Sequence, residues 1–129
     1  MNKRQLHKFF DEVNARVFGG VLPKTKLTIS FKPSDVFGQC FMHSKLGQNM
    51  SKQKIVINYN SMMRYDVFNI DEIKRTLIHE MVHLWIGVLA KRNFSRTMNL
   101  ISEHDVKTFN SIGKIAFDLG LIKHGDLLA

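Results

Sequence analysis

Hydrophobic residues recur at helical spacing near both ends of the chain and alternate with polar residues in its first half. The segment LHKFFDEVNARVF, residues 6–18, repeats apolar side chains every three or four positions and therefore predicts an amphipathic helix. Gly19 and Gly20 end this helix, and Pro23 follows. The predicted buried face consists of Leu6, Phe9, Phe10, Val13 and Val17.

Three short apolar segments follow, and their composition is typical of β-strands. They are KLTISFK (residues 26–32), VFGQCFMH (36–43) and KIVINYN (54–60). The polar segment SKLGQNMSKQ, residues 44–53, predicts a hairpin connection between the second and third strands. We therefore expect a small, mostly antiparallel three-stranded sheet. The predicted buried residues are Leu27, Ile29 and Phe31 in the first strand, and Ile55, Ile57 and Tyr59 in the third.

The pattern returns to helical spacing from Asp71. Residues 71–92 predict a long helix, with acidic residues at its start and basic residues at its end, as the helix dipole favours. A second helix is predicted from Glu103 to Leu119, closed by Gly120. The expected buried residues of the two helices are Ile73, Leu77, Met81, Leu84 or Trp85, Val88, then Val106, Phe109, Ile112, Ala116 and Leu119. The predicted fold class is α+β, with residues 1–129 forming a single domain.

Composition narrows the class of protein. No apolar segment approaches the roughly 20 residues that a membrane-spanning helix needs, so we expect no membrane association. The N-terminal residues lack the apolar stretch of a secretory signal, so we expect an intracellular, cytoplasmic protein. We also expect a monomer. Cys40 is the only cysteine, which excludes an internal disulfide and a cysteine-built zinc site. We expect its thiol to be buried and unreactive.

The formal net charge of +8 favours acidic partners, of which nucleic acid is the commonest inside cells. The basic residues are scattered along the chain and form no arginine-rich arm. A solvated basic surface is therefore an equally good interpretation of the charge.

The segment LIHEMVHLW, residues 77–85, contains the candidate chemistry. His79 and His83 are four residues apart, so on a helix both imidazoles lie on one face and can bind the same ion. Zinc binds neutral imidazoles, and Glu80 lies beside them in a position to accept a proton from water. This is the H-E-x-x-H signature of zinc peptidases. The alternative, two ordinary packed histidines beside a buried glutamate without a metal, would be costly.

A third zinc ligand must come from another part of the chain. Glu103 and His104 are both candidates, and adjacent helical residues point too far apart for both to reach one ion. Glu103 lies 20 residues after His83, a spacing similar to that of thermolysin-like peptidases, whereas His104 offers an imidazole. The spacing leaves both open.

Three segments together resemble the SprT-like family of zinc metalloproteases, which includes the Spartan-type DNA–protein crosslink proteases. They are FFDEVNARVFGGVLP (residues 9–23), IVIN (55–58) and TLIHEMVHLW (76–85). The resemblance implies a zincin-like fold and a minimal catalytic domain without the family's cysteine-rich zinc ribbon. It also implies that His104 is the third ligand, followed by an aromatic residue, here Phe109. Asp105 stands where the family usually has glycine.

By this resemblance the chain would hydrolyse peptide bonds, with Zn²⁺ on His79, His83 and His104 and with Glu80 as the general base. The substrates would be proteins or peptides, including proteins associated with or crosslinked to DNA. A substrate peptide would pair with an exposed strand edge, for which FGQCF, residues 37–41, is the candidate, although an ordinary edge strand fits equally well. The alternatives are a non-catalytic, zinc-containing nucleic-acid-binding or adaptor protein and a zinc hydrolase with a smaller substrate.

Overall fold

The computed structural model describes residues 1–41, 53–92 and 105–128, with 89–92 described as backbone only. These residues form four helices and a three-stranded sheet, which confirms the predicted α+β class. In chain order the elements are α1 (Lys3–Val17), β1 (Thr25–Ser30), β2 (Gly38–Phe41), β3 (Gln53–Asn58), α2 (Tyr59–Arg64), α3 (Ile70–Arg92) and α4 (Val106–Asp118). Within the described ranges, no helix combines the length and apolar character needed to cross a membrane.

Helix α1 buries the face that the sequence predicts. A capping box starts the helix: the Asn2 side chain accepts a hydrogen bond from the Gln5 amide, and the Gln5 side chain accepts one from the Asn2 amide. Four predicted residues are fully or almost fully buried, and Val17 packs at the margin of the core. The four are Leu6, Phe9, Phe10 and Val13.

Asn14 ties the end of α1 to the segment that leads into the sheet. Its side chain donates to the Leu22 carbonyl at 3.2 Å and accepts from the Leu22 amide at 3.1 Å. Between them, Gly19 and Gly20 have φ values of 63° and 76°, a left-handed conformation that glycine adopts without steric cost. The asparagine and the glycine pair therefore fix where β1 begins relative to α1.

The sheet is mixed, with the strand order β1-β3-β2. β2 pairs with β3 in antiparallel fashion, as the hairpin prediction requires, but β1 pairs with β3 in parallel. The reason is that the 31–37 connection carries the chain past the end of β3. Asn58 holds this connection, since its amide donates to the Phe37 carbonyl and its side chain donates to the Val36 carbonyl, both at 2.8 Å.

Two of the residues predicted to be buried in strands lie outside the observed strands. Tyr59 is buried, but it begins α2, a short helix that the sequence pattern did not predict. Phe31 follows the end of β1 and is 65% exposed, with its ring edge against the ring of Tyr59. In the central strand β3, by contrast, Ile55 and Ile57 are fully buried as predicted.

Helix α3 is buried on more than one side, because it contacts β2 and β3 as well as α1 and α4. All five residues of the predicted apolar stripe are buried, and Trp85 is half-buried with its ring 6.1 Å from that of Phe18. Ile78 and Val82, which the stripe omits, are fully buried as well. The stripe residues are Ile73, Leu77, Met81, Leu84 and Val88.

Helix α4 buries Phe109, Ile112 and Ala116, as predicted. The prediction is wrong for Val106 and Leu119, which are 58% and 38% exposed. They occupy the first turn and the C-cap, at the two ends of the helix.

The chain after Gly120 contributes side chains to the hydrophobic core. Leu121, Ile122 and Leu127 are buried in the main hydrophobic cluster. We name residues 123–128 the C-terminal strap, because they pass along α3.

Candidate metal centre

Helix α3 brings together the three side chains that the sequence predicts at the site. His79, Glu80 and His83 each offer a ligand atom, and these atoms lie within 4.8 Å of one another. Glu80 is only 5% exposed, and the two histidines are partly accessible. Two imidazoles and a carboxylate are donors that zinc accepts, so the group could hold a metal ion.

The backbone of the C-terminal strap orients His79. Its Nδ1 lies 2.7 Å from the carbonyl oxygen of Leu127. A carbonyl only accepts hydrogen bonds, so Nδ1 must carry the proton and the lone pair is on Nε2. Nε2 of His79 is 3.9 Å from Oε2 of Glu80, so this nitrogen lies on the side of the ring that is close to the Glu80 carboxylate.

Phe109 of α4 packs against both imidazoles. Its ring centroid is 4.8 Å from that of His79 and 5.2 Å from that of His83, while the two imidazole centroids are 5.0 Å apart. Phe109 is fully buried, so its ring restricts the positions that the two histidines can adopt.

Glu80 lies against a glycine of the neighbouring strand. A Cβ added at Gly38 would be 3.1 Å from Oε2 of Glu80 and 2.8 Å from Cγ2 of Thr76. The missing side chain thus allows β2 to approach α3 closely and leaves room for the carboxylate.

Cys40 lies two residues further along β2, near the same carboxylate. Burial raises the pKa of its thiol to about 12, and the negative charge of Glu80 adds to the effect. The thiol is therefore protonated at neutral pH, which supports the expectation that it is unreactive.

A cleft of about 850 Å³ is lined by His79, Glu80 and His83 of α3 and by Gly38 and Cys40 of β2. Its walls come from the 35–41 segment that includes β2, from α3, and from Asp126, Leu127 and Leu128 of the strap. Successive helical residues are rotated by about 100°, so Glu80 is turned by about that angle from His79. This rotation explains why His79 contacts the strap while Glu80 contacts β2.

The two candidates for a third ligand, Glu103 and His104, lie outside the described residues. The described chain resumes at Asp105, which is the N-cap of α4 and accepts a hydrogen bond from Phe109 through its carbonyl oxygen at 3.0 Å. The helix that follows the two candidates therefore places its first buried aromatic residue, Phe109, against the imidazoles of His79 and His83.

Two contributors to the site escaped sequence reasoning. The Leu127 carbonyl is a backbone group, and because every residue has one, the sequence does not single it out. Gly38 allows β2 to approach Glu80 closely. The glycine itself was the available signal, because glycine in a strand often marks such an approach.

Comparison with known proteins gives one match. The family model described as the SprT-like family matches residues 6–112, which is most of the chain and includes most of α1, the whole sheet and α3. No curated protein and no solved structure matches the chain significantly. This match supports a metallopeptidase-type function, at the level of the family. Together with the grouped His79, Glu80 and His83, this match shows that the chain belongs to the SprT-like family.

Proposed function

We propose that the protein is a zinc-dependent endopeptidase whose metal is held by His79 and His83 and whose general base is Glu80. The observation that carries the proposal is the placement of these three groups within 4.8 Å of one another, in a cleft beside an edge strand. His104 is the proposed third ligand.

When bound, zinc would act as a Lewis acid that polarises the scissile carbonyl and acidifies the attacking water. Glu80 would take the proton of that water and pass it to the leaving amine. Its burial and its contact with β2 hold the carboxylate in one place, so little reorganisation is needed during proton transfer.

Strand β2 is the proposed binding site for the peptide substrate. It occupies an edge of the described sheet, and Gly38 to Phe41 line the cleft that contains the metal group. An extended peptide could add to this edge through main-chain hydrogen bonds, which bind many sequences with little selectivity. The scissile bond would then lie along the face of α3 that carries the two histidines.

We further propose that the substrates are proteins bound to DNA. The support for this step is the net charge of +8, which favours a polyanion as partner, together with membership of the SprT-like family.

A cleavage assay tests the proposed function. Zinc-loaded protein should cleave an unfolded protein substrate, lose this activity with a chelator, and regain it when zinc is restored. Double-stranded DNA should bind more weakly as salt is raised, by at least about tenfold between 50 and 200 mM, and should stimulate cleavage of a DNA-binding substrate. Zinc-loaded protein that binds DNA but cleaves nothing would favour the non-catalytic adaptor function instead.

The Gly38→Ala variant tests how Glu80 is positioned. The added methyl would contact Thr76 and the Glu80 carboxylate, so we expect kcat to fall about 10- to 100-fold. Zinc content should stay at the wild-type value, because neither histidine is touched. Lys26→Ala, at an exposed position on the other edge strand, is the matched control and should keep wild-type kcat. An unchanged kcat in Gly38→Ala would show that the close approach of β2 is not needed for catalysis.

A further inference from the structure

We propose that the C-terminal strap, residues 123–128, is a positioning element for the metal centre. Its Leu127 carbonyl would hold His79 in the tautomer that presents Nε2 to the metal. The proposal rests on the proposed zinc site, and it assigns a role to a segment that lies beyond the family match, which ends at residue 112.

The strap follows one face of α3 through three polar contacts. Its partners on the helix are spaced four residues apart, so they lie one above the other along about 12 Å of the helix. The strap residues that reach them run from Lys123 to Leu127, four residue steps that cover about 13 Å in extended form. The contacts are Lys123 amide to Asp71 Oδ1 at 2.7 Å, Arg75 Nη1 to Asp126 carbonyl at 3.5 Å, and His79 Nδ1 to Leu127 carbonyl at 2.7 Å.

A glycine crossing fixes the strap against α4. A Cβ added at Gly113 would lie 1.9 Å from the carbonyl oxygen of Gly125 and 3.2 Å from Cγ of Leu127. Leu127 is itself buried in the main cluster. The strap can therefore reach its observed position only because residue 113 has no side chain.

Arg75 connects the strap to acidic residues on α3. Its side chain pairs with Asp71 at 3.2 Å and with Glu72, and all three side chains are largely buried. Because these carboxylates hold the guanidinium in place, the donor to the Asp126 carbonyl is already oriented when the strap docks.

The hydrogen bond to Leu127 has a chemical consequence for the metal. Histidine ligands commonly donate their other ring N–H to a carbonyl or carboxylate, which fixes the tautomer and ring orientation. Loss of such a partner typically weakens metal binding by about 10- to 100-fold. Here the partner belongs to the strap, so zinc affinity should depend on strap docking even though the strap supplies no metal ligand.

The Gly113→Ala variant tests this proposal. Alanine favours the helix more than glycine does, so α4 should persist while the methyl displaces the strap. We expect zinc affinity, measured by competition with a chromophoric chelator, to fall about 10- to 100-fold. In the metal-free protein, long-range ¹H–¹⁵N spectra should show His79 protonated on Nδ1 in the wild type and in mixed tautomers in the variant.

Ser111→Ala, at an exposed position of the same helix, is the matched control and should match the wild type in both measurements. If Gly113→Ala does not fold, Asp71→Ala and Asp71→Asn replace it. The first removes the acceptor for the Lys123 amide and should weaken zinc binding, whereas the second keeps an acceptor oxygen and should retain more of it.

Two failures can be told apart. If the wild type binds no zinc, the proposed function is wrong. If the wild type binds zinc and Gly113→Ala binds it equally, with His79 in the same tautomer, the positioning role of the strap alone is overturned.

Discussion

The Glu80→Gln variant is expected to lower kcat by about 10²- to 10⁴-fold while it retains zinc. Glutamine has the same shape as glutamate, so it fits the space beside Gly38 and Thr76 that the carboxylate occupies. It cannot accept a proton, so the attacking water would no longer be activated. The measurement is kcat on an unfolded protein substrate, with zinc content determined on the same samples.

The fold should tolerate this change. Glu80 is 5% exposed, and an uncharged amide is less costly to bury than a carboxylate. We therefore expect Tm to stay the same or rise. Glu12→Gln is the matched control, because it makes the same substitution at an exposed position of α1. Its kcat should stay at the wild-type value. Equal cleavage by Glu80→Gln and the wild type would exclude Glu80 as the general base.

The helices with strong periodicity could be predicted from the sequence because their signal is local. In α1, Leu6, Phe9 and Val13 follow the helical repeat and are buried together. The order of the strands could not be predicted in this way. β1 and β3 become parallel neighbours because the 31–37 connection passes the end of β3, where Asn58 binds it. That contact joins residues more than 20 positions apart, so it cannot be predicted from the local sequence pattern.

The same distinction applies to the site. His79, Glu80 and His83 could be identified because all three lie within five residues of one helix, where spacing determines direction. The Leu127 carbonyl could not, because it lies 48 residues from His79 and every residue has such a group. The sequence predicts Phe109 as a buried residue and as the aromatic residue after His104, but its contact with both imidazoles depends on how α4 packs against α3.

The His104→Ala variant should remove most of the bound zinc. A ligand contributes more than an outer partner of a ligand, so we expect zinc affinity to fall by more than about 100-fold, with cleavage lost in parallel. The support is the position of the neighbouring helix: Asp105 is the N-cap of α4, and Phe109, one helical turn later, contacts the imidazoles of both His79 and His83. Asp105 therefore lies about 6 Å along the helix axis from Phe109. Zinc per chain, measured after dialysis, checks the expectation.

Glu103→Ala is the matched control, because it removes the adjacent candidate ligand and changes the same short segment. We expect it to keep one zinc per chain and to retain cleavage, because His104 is the proposed third ligand. Zinc lost only in Glu103→Ala would instead indicate a ligand set of two histidines and a glutamate, as in thermolysin-like peptidases. Zinc retained in both variants would mean that neither residue is needed, and that the third ligand comes from elsewhere in the chain or from solvent.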